Sequence, residues 1–280
     1  FSTIWLFFLQ QVYFSLHTTE VITIFNLDIT TLILFAFLLF SAGFVDAIGG
    51  GGGLLSVPGY LLTGLPIHTV FGTNKFAASV GTGVSFLQFL KHNKMHLGLL
   101  KYLAPMSFLG AILGVTTLQF VNPSFLKIII PFLILVVGSY TLFNKSLGNE
   151  SNYKHPKRNV LIKGMFFTLA IGFYDGFFGP GTGSFFILML IKLFDVDFVE
   201  AAGNTKMLNL ISNITSLIIF LFRGQVFLPL AILGSVFNLA GAFLGSHFAI
   251  KKGTAFIKPV FISISFIVAF KMLYEQFLVK

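Results

Sequence analysis

Long apolar stretches recur along nearly the whole chain, and short polar gaps separate them. Eight stretches are long, at about 31–45, 76–90, 97–118, 124–143, 161–178, 207–222, 226–247 and 256–274. Two shorter ones lie at 54–62 and 184–194. The long stretches approach the ~20 residues that cross a bilayer, whereas the short ones fit half-helices or re-entrant segments. The pattern predicts an all-α polytopic membrane protein with about eight long membrane segments and two short half-helices.

The second half of the chain repeats the first. The motif GFVD at 43–46 matches GFYD at 172–175, and after a two-residue shift GTNK at 72–75 matches GNTK at 203–206. We therefore expect two homologous transmembrane repeats joined by a basic linker. The predicted divisions are a membrane-adjacent segment or leader remnant at 1–29 and the first repeat at 30–143. The linker follows at 144–163 and the second repeat at 164–280.

Basic residues in the polar gaps orient the two repeats. The linker carries five basic residues against one acid, which places it in the cytoplasm: Lys145, Lys154, Lys157, Arg158 and Lys163 against Glu150. The gap at 91–96 carries Lys91 and Lys94 and falls on the same side, whereas its counterpart in the second half holds only Arg223. Equivalent loops thus prefer opposite sides of the membrane, as repeats of inverted topology would.

Composition narrows the classes of function. The chain is 56% hydrophobic and only 10% charged, against roughly 25% charged for ordinary soluble domains. Its net charge of +9 comes from basic residues in the gaps, which is typical of a cytoplasmic membrane boundary rather than of a face that binds nucleic acid. The chain has no cysteine, so disulfides, thiolate metal sites and cysteine nucleophiles are excluded.

No motif for catalysis, nucleotide binding or metal binding stands out. Neither glycine-rich segment spells a phosphate loop or a dinucleotide fingerprint, so we expect no nucleotide and no cofactor. His92 and His96 have the spacing of a metal pair, but no third ligand lies near them in the sequence. Without GxSxG, HExxH or a Ser/His/Asp grouping, the chain is not expected to be an enzyme. The expected partners are the lipid bilayer and a small anionic substrate, and the oligomeric state is not predicted.

Glycine-rich breaks at 49–53 and 179–183 each precede one of the short apolar segments. In hydrocarbon such a break is tolerated only where it is buried in protein or lines a wet cavity. Each break exposes the N-terminus of a half-helix, whose amide groups and partial positive charge attract an anion. We expect the backbone to bind substrate at four glycines, Gly50, Gly52, Gly179 and Gly181. Alternatively, the glycines only allow close helix packing or a tight hairpin.

Asp46 and Asp175 occupy equivalent positions just before the two breaks, and they are the only acids within apolar segments. An acid near the middle of a bilayer costs roughly 2.5–3.5 kcal/mol on insertion scales. One interpretation is a protonatable pair that couples substrate to protons. The other is local capping of backbone amides that the breaks leave free.

Lys75 and Lys206 are also equivalent, and each is expected at the start of a membrane helix. A cation in the first turn opposes the helix dipole by about 0.3–1 kcal/mol, so its recurrence favours a functional role. The two lysines would attract anions at opposite mouths of a pathway, or they would extend to the headgroups. The four polar residues beside them are candidate N-caps or substrate donors: Thr73, Asn74, Asn204 and Thr205.

A polar stripe continues along the second of these helices, at Asn209, Ser212, Asn213 and Ser216. It indicates either a wet face, with Asn213 as a substrate ligand, or hydrogen bonds between helices. The sequences GAILG at 110–114 and GAFLG at 241–245 have the small-xxx-small spacing of helix packing, and we interpret them in that way.

The glycine-rich segments and the sequences that follow them resemble a known family. AGFVDAIGGGGGLLSVPGYLLTGLPIHTVFGTNKFAASVGT, with the recurring GFYDGFFGPGTGSF and NTKMLNLISN, is similar to the sulfite exporter TauE/SafE family of permeases over about residues 30–275. The resemblance implies a multi-pass plasma-membrane protein with two repeated halves. It also implies export of sulfite, sulfoacetate or related organosulfur anions. The aspartates at 46 and 175 are similar to one branch of that family.

Together these observations predict a secondary transporter of the bacterial plasma membrane. It would export a small anion, sulfite or a related organosulfur oxyanion, by alternating access coupled to protons. The alternatives are a passive anion channel and a membrane enzyme or assembly factor without transport activity.

Overall fold

The computed structural model describes residues 29–120, 148–260, 262, 263 and 266, and within these ranges all regular secondary structure is helical. Eight helices follow one another: α1 Ile29–Gly49, α2 Gly53–Leu61, α3 Ile67–Lys91, α4 Leu97–Leu118, α5 Arg158–Phe177, α6 Thr182–Phe194, α7 Phe198–Phe222 and α8 Leu228–Lys252. Helical residues resume at 254. The predicted segments at 1–29 and 124–143, and most of the one at 256–274, lie outside the described residues.

Five of the described helices are long and apolar enough to cross a membrane, namely α1, α4, α5, α7 and α8. Large apolar side chains such as Ile33, Phe37 and Phe166 are exposed on the outer faces of these helices. An apolar exterior is expected where lipid replaces water as the solvent. The chain is therefore an all-helical polytopic membrane protein.

Both predicted half-helices are present as short helices after a glycine break. The helix α2 has 9 residues and α6 has 13, which is too short to span a bilayer. At the breaks Gly50 and Gly179 have φ of 73° and 89°, in the left-handed region that glycine adopts without a Cβ clash. The glycines therefore end one helix and redirect the chain into the next.

Two helix starts differ from the prediction. The helices α3 and α7 begin at Ile67 and Phe198, eight residues before Lys75 and Lys206, which were expected in the first turn. The polar segments GTNK and GNTK were placed at the helix starts because they interrupt the apolar pattern. In the structure these segments are helical and buried against neighbouring helices, where an apolar surface is not required.

The small-xxx-small sequences pack as predicted, on two parallel helix pairs. Along α4, a Cβ at Gly110 or Gly114 would overlap the carbonyl of Leu169 or Phe173 in α5. Along α8, Gly241 and Gly245 lie against the corresponding carbonyls of α1 in the same way. The residue numbers at these contacts rise in the same direction along both helices of each pair, so α4 and α5 are parallel, as are α1 and α8.

The helices α3 and α7 cross the centre in opposite directions. Gly72, near the start of α3, contacts the carbonyl of Gln225 just after α7, and Gly203, near the start of α7, contacts the carbonyl of Lys94 just after α3. The gap at 91–96 thus lies at one end of the bundle, and the gap around Gln225 lies at the other. Tyr153 of the linker stacks on His96, with ring centroids 3.9 Å apart.

Candidate functional site

The two glycine breaks touch each other inside the helix bundle. A Cβ on Gly183 would lie 2.5 Å from the Cα of Gly50, and one on Gly53 would lie 3.2 Å from the Cα of Pro180. Ser184 donates a hydrogen bond from Oγ to the carbonyl of Gly49, at 3.2 Å. The N-termini of the half-helices α2 and α6 therefore start from one shared point between α3 and α7.

A buried ion pair joins α3 to the end of α5. The Nζ of Lys75 lies 3.0 Å from Oδ1 of Asp175, and these side chains are only 8% and 6% exposed. The same Nζ donates to the carbonyl oxygen of Asp175 at 3.0 Å and to Oδ1 of Asn213 at 2.9 Å. An ammonium group has three donor hydrogens, so these three acceptors saturate it. Thr182 Oγ1 also lies 3.2 Å from Oδ1 of Asp175.

A second ion pair joins α7 to the end of α1. The Nζ of Lys206 lies 3.1 Å from Oδ2 of Asp46 and also donates to the carbonyl oxygen of Asp46. The side chain of Lys206 is fully buried, but that of Asp46 is 25% exposed. Each lysine thus binds both the carboxylate and the backbone carbonyl of the aspartate that precedes the other half's glycine break.

These positions correct two interpretations of the lysines and their neighbours. Lys75 and Lys206 lie inside α3 and α7 rather than in a first turn, and they are buried rather than extended to the headgroups. The polar residues beside them are not N-caps. The N-cap positions belong to Pro66 and Asp197, and the carboxylate of Asp197 accepts from the backbone N–H of Glu200 at 2.8 Å.

A cavity of about 50 Å³ lies between the two breaks and the central helices. This volume exceeds the ~10–15 Å³ that one water needs, so the cavity has room for several waters or one small polyatomic ion. Its wall includes seven of the residues expected to bind substrate or carry protons: Asp46, Gly52, Asn74, Lys75, Asp175, Gly179 and Asn213. Asn209 and Asn238 also line it, although the predicted site included neither residue.

The remaining six predicted residues lie outside the cavity wall: Gly50, Thr73, Gly181, Asn204, Thr205 and Lys206. Two of them support the fold at the ends of the bundle. Thr73 Oγ1 accepts from the backbone N–H of Phe227 at 3.0 Å, and Asn204 Oδ1 accepts from that of His96 at 2.8 Å. Gly181 is the left-handed N-cap of α6.

Two of the glycine amides expected to bind an anion are already used within the protein. The N–H of Gly50 donates to the carbonyl of Asp46 at 3.0 Å, and that of Gly179 donates to the carbonyl of Tyr174 at 3.1 Å. These bonds close the last turns of α1 and α5. In this conformation an anion at the half-helix ends would have to bind other backbone amides of the two breaks.

Three buried acceptor oxygens on the cavity wall have no hydrogen-bond partner within the described residues. They are Oδ2 of Asp175, Oδ1 of Asn74 and Oδ1 of Asn209. Buried polar atoms are nearly always paired, so an unpaired set facing one cavity indicates a site for something that donates hydrogen bonds. An amide side chain within an apolar or helical segment was the signal in the sequence for Asn209 and for Asn238.

No three His, Cys, Asp or Glu side chains come together as a metal site in the part of the chain that the structure describes. His96, which the sequence analysis considered as half of a metal pair, instead lies with Nε2 at 3.2 Å from Oε2 of Glu200. Its ring therefore links the start of α4 to the start of α7.

Comparison with known proteins places this geometry in context. The family model described as sulfite exporter TauE/SafE matches residues 34–272. A probable membrane transporter protein of Haemophilus influenzae is 37% identical over 237 residues, which are 85% of this chain and 92% of the relative. The probable membrane transporter protein YfcA of Escherichia coli K12 is 32% identical over 244 residues, 86% of this chain and 88% of the relative. No solved structure gives a significant match.

Proposed function

This chain belongs to the sulfite exporter TauE/SafE family of membrane transporters, and we propose that it exports a small anion by alternating access, coupled to protons. The proposed substrate is sulfite or a related organosulfur oxyanion, and the proposed location is the bacterial plasma membrane. The substrate class comes from the description of the family. The rest of the proposal is supported by the site.

The reciprocal ion pairs around the cavity are the observation that carries the proposal. In the alignment of the two halves, Lys75 corresponds to Lys206 and Asp175 to Asp46, so each pair is the counterpart of the other. Ionisable residues at membrane depth mark substrate or ion pathways by default. Paired discontinuous helices at the same depth are the feature by which transporters bind their substrates.

Further contacts support two inverted repeats, at 30–143 and 164–280, as the units that would move against each other. Gly72 meets the carbonyl of Gln225, and its counterpart Gly203 meets the carbonyl of Lys94, the counterpart of Gln225. The parallel pair α4 and α5 corresponds to the parallel pair α8 and α1. A pseudo-two-fold axis that relates the halves would place equivalent loops at opposite ends of the bundle, as inverted repeats require.

Anion binding would use the cavity and the lysine that reaches it. Lys75 lines the cavity together with Gly52, Asn74 and Asn213, whereas Lys206 is not part of its wall. If the halves exchanged conformations, the environments of the two lysines would exchange as well. One lysine at a time would then face the substrate. Asp46 and Asp175 are proposed to carry the protons.

The test is flux of radiolabelled sulfite and methanesulfonate in proteoliposomes, with and without an imposed proton gradient. A coupled exporter gives saturable flux that the gradient drives uphill. A passive channel gives flux that follows only the anion's own gradient, and that result would remove the coupling. If both anions show no saturable flux while the protein is folded and inserted, the proposed substrate class is wrong.

A further inference from the structure

The ammonium group of Lys75 has no donor left for a substrate. Its three hydrogens are used by the carboxylate and carbonyl of Asp175 and by Asn213. An anion that enters the cavity as it stands would also face the carboxylates of Asp46 and Asp175. Anion binding at Lys75 therefore requires that the carboxylate of Asp175 give up its hydrogen bond from the ammonium group.

On the basis of the proposed function, we propose that a proton and the anion bind together by exchange on the Lys75–Asp175 ion pair and cross in the same direction, so that export follows the combined gradients of the anion and the proton. A proton from water adds to Oδ2 of Asp175, the carboxyl becomes neutral, and the freed ammonium of Lys75 binds the anion. One proton and one monovalent anion are taken up, so the net charge of the site does not change. The O–H bond that forms on Oδ2 replaces the one that breaks in the hydronium ion that supplies the proton, and no other covalent bond changes.

The position of the unpaired oxygens supports this assignment. Oδ1 of Asp175 is the atom that Lys75 and Thr182 contact, and Oδ2 is the buried atom without a partner in the described residues. A proton on Oδ2 would convert that atom from an unpaired acceptor into a donor. Asn74 and Asn209 line the same cavity and carry acceptor Oδ1 atoms that have no partner in the described residues. We assign these two asparagines as positioning residues for the proton.

The other charged and titratable groups near Asp175 favour the exchange. Across the cavity lies Asp46, whose charge Lys206 balances. The neighbouring Tyr174 hydroxyl donates to the carbonyl of Pro180. With both aspartates ionised, an added anion would bring three negative charges against two lysines. Protonation of Asp175 makes the numbers of negative and positive charges equal again, because an unbalanced charge is costly at a desolvated site.

The second ion pair has no asparagines at the equivalent positions, so we assign the proton to Asp175 rather than equally to both acids. In the alignment of the halves, the counterpart of Asn209 is Ala78 and the counterpart of Asn74 is Thr205. The side chain of Asp46 is also 25% exposed, whereas that of Asp175 is 6% exposed. The burial and the neighbouring asparagines that would hold a proton on the carboxyl are therefore specific to Asp175.

Linked proton uptake is the measurement that tests the exchange. Methanesulfonate stays ionised across the working pH range, and its binding is measured by titration calorimetry in two buffers of different protonation enthalpy. Wild-type protein should take up about one proton for each anion bound, so its affinity should fall about tenfold for each pH unit over which that uptake is measured. Asp175→Asn should bind without proton uptake and without pH dependence.

Two further variants make the result specific. Asp46→Asn alters the other acid of the cavity and should lose less proton uptake than Asp175→Asn. Glu150→Gln, which alters an exposed linker carboxylate, is the control and should behave as wild type. Binding without proton uptake by the wild type, or unchanged uptake in Asp175→Asn, would overturn the exchange and leave the proposed transporter standing. If neither methanesulfonate nor sulfite binds, the proposed function fails and the inference fails with it.

A second pair of variants keeps the inference testable if Asp175→Asn does not fold. Asn209→Ala removes one acceptor for the proton and copies the alanine of the other half. It should move the midpoint of pH-dependent binding to lower pH, because the protonated carboxyl is less well held. Ser212→Ala removes a buried, unpaired hydroxyl of the same helix that does not line the cavity, and its midpoint should not move. Equal midpoints in the two variants would contradict the role of Asn209.

Discussion

The two ion pairs are built from equivalent residues, yet their surroundings differ. Asp175 is buried with Lys75, and Asn213 supplies a further acceptor for the lysine. Asp46 is 25% exposed beside a fully buried Lys206, and the counterpart of Asn213 there is Thr82. The buried charge on Asp175 therefore depends on Lys75, whereas Asp46 is less completely buried. Two halves of similar sequence thus surround equivalent ion pairs differently in one conformation.

The largest expected effect is on stability when one lysine is removed. Lys75→Met leaves Asp175 buried without its cation, which should lower the free energy of unfolding by about 3–5 kcal/mol. Lys206→Met leaves an aspartate that is less completely buried, and a loss of about 1–3 kcal/mol is expected. Unfolding of both variants in the same detergent measures the difference. Equal losses would show that the two pairs do not differ as described.

A double replacement separates stability from function at the Lys75–Asp175 pair. Lys75→Met with Asp175→Leu removes both charges and fills the space with apolar groups, so it should recover about 2–4 kcal/mol relative to Lys75→Met alone. Transport should remain absent, because no ammonium is left to bind the anion. A double variant that is as unstable as the single one would contradict the pairing, and one that transports would contradict its function.

Glycine contacts at the two ends of the bundle give a matched comparison of smaller size. Gly72→Ala and Gly203→Ala should each cost about 1–3 kcal/mol, because the new Cβ would overlap the carbonyl of Gln225 or Lys94. Gly83→Ala, in the same helix as Gly72, meets its nearest atom at 3.8 Å and should be neutral or stabilising by about 0.5–1 kcal/mol. Unequal losses at positions 72 and 203 would argue against equivalent halves.

The smallest effect is expected at the acceptor that distinguishes the two pairs. Asn213→Thr makes the surroundings of Lys75 resemble those of Lys206, and it removes one hydrogen bond to the ammonium. The expected loss is about 1 kcal/mol. Thr215→Val, in the same helix, removes a hydroxyl that bonds only within its own turn and serves as the control. An Asn213→Thr protein with unchanged stability would show that the third acceptor contributes nothing.

Features that depend on local sequence could be predicted. The half-helices α2 and α6 follow from glycine runs ahead of short apolar segments, and the packing of GAILG and GAFLG follows from their spacing. The recurrence of Asp46 and Lys75 in the second half singled out the four residues that form the two ion pairs. Each of these signals lies within a few neighbouring residues or in a comparison of the chain with itself.

Features that depend on contacts between distant segments could not be predicted. The sequence showed that the aspartates and lysines recur, but not that Lys75 pairs with an aspartate 100 positions away. The starts of α3 and α7 were placed too late, because polar residues that face other helices interrupt the apolar pattern. Asn209 was recognised in the polar stripe, but neither it nor Asn238 was assigned to the site, because the sequence does not show which polar residues meet at one cavity.

The most direct test of proton coupling is accumulation of methanesulfonate in proteoliposomes under an imposed proton gradient, compared for wild type, Asp46→Asn and Asp175→Asn. Exchange of labelled for unlabelled anion, measured without a gradient, reports whether each variant still binds and translocates. The account predicts that Asp175→Asn keeps exchange but no longer accumulates the anion, and that Asp46→Asn retains part of its accumulation. Gradient-driven accumulation by Asp175→Asn at the wild-type level would contradict the central claim that this carboxylate carries the proton.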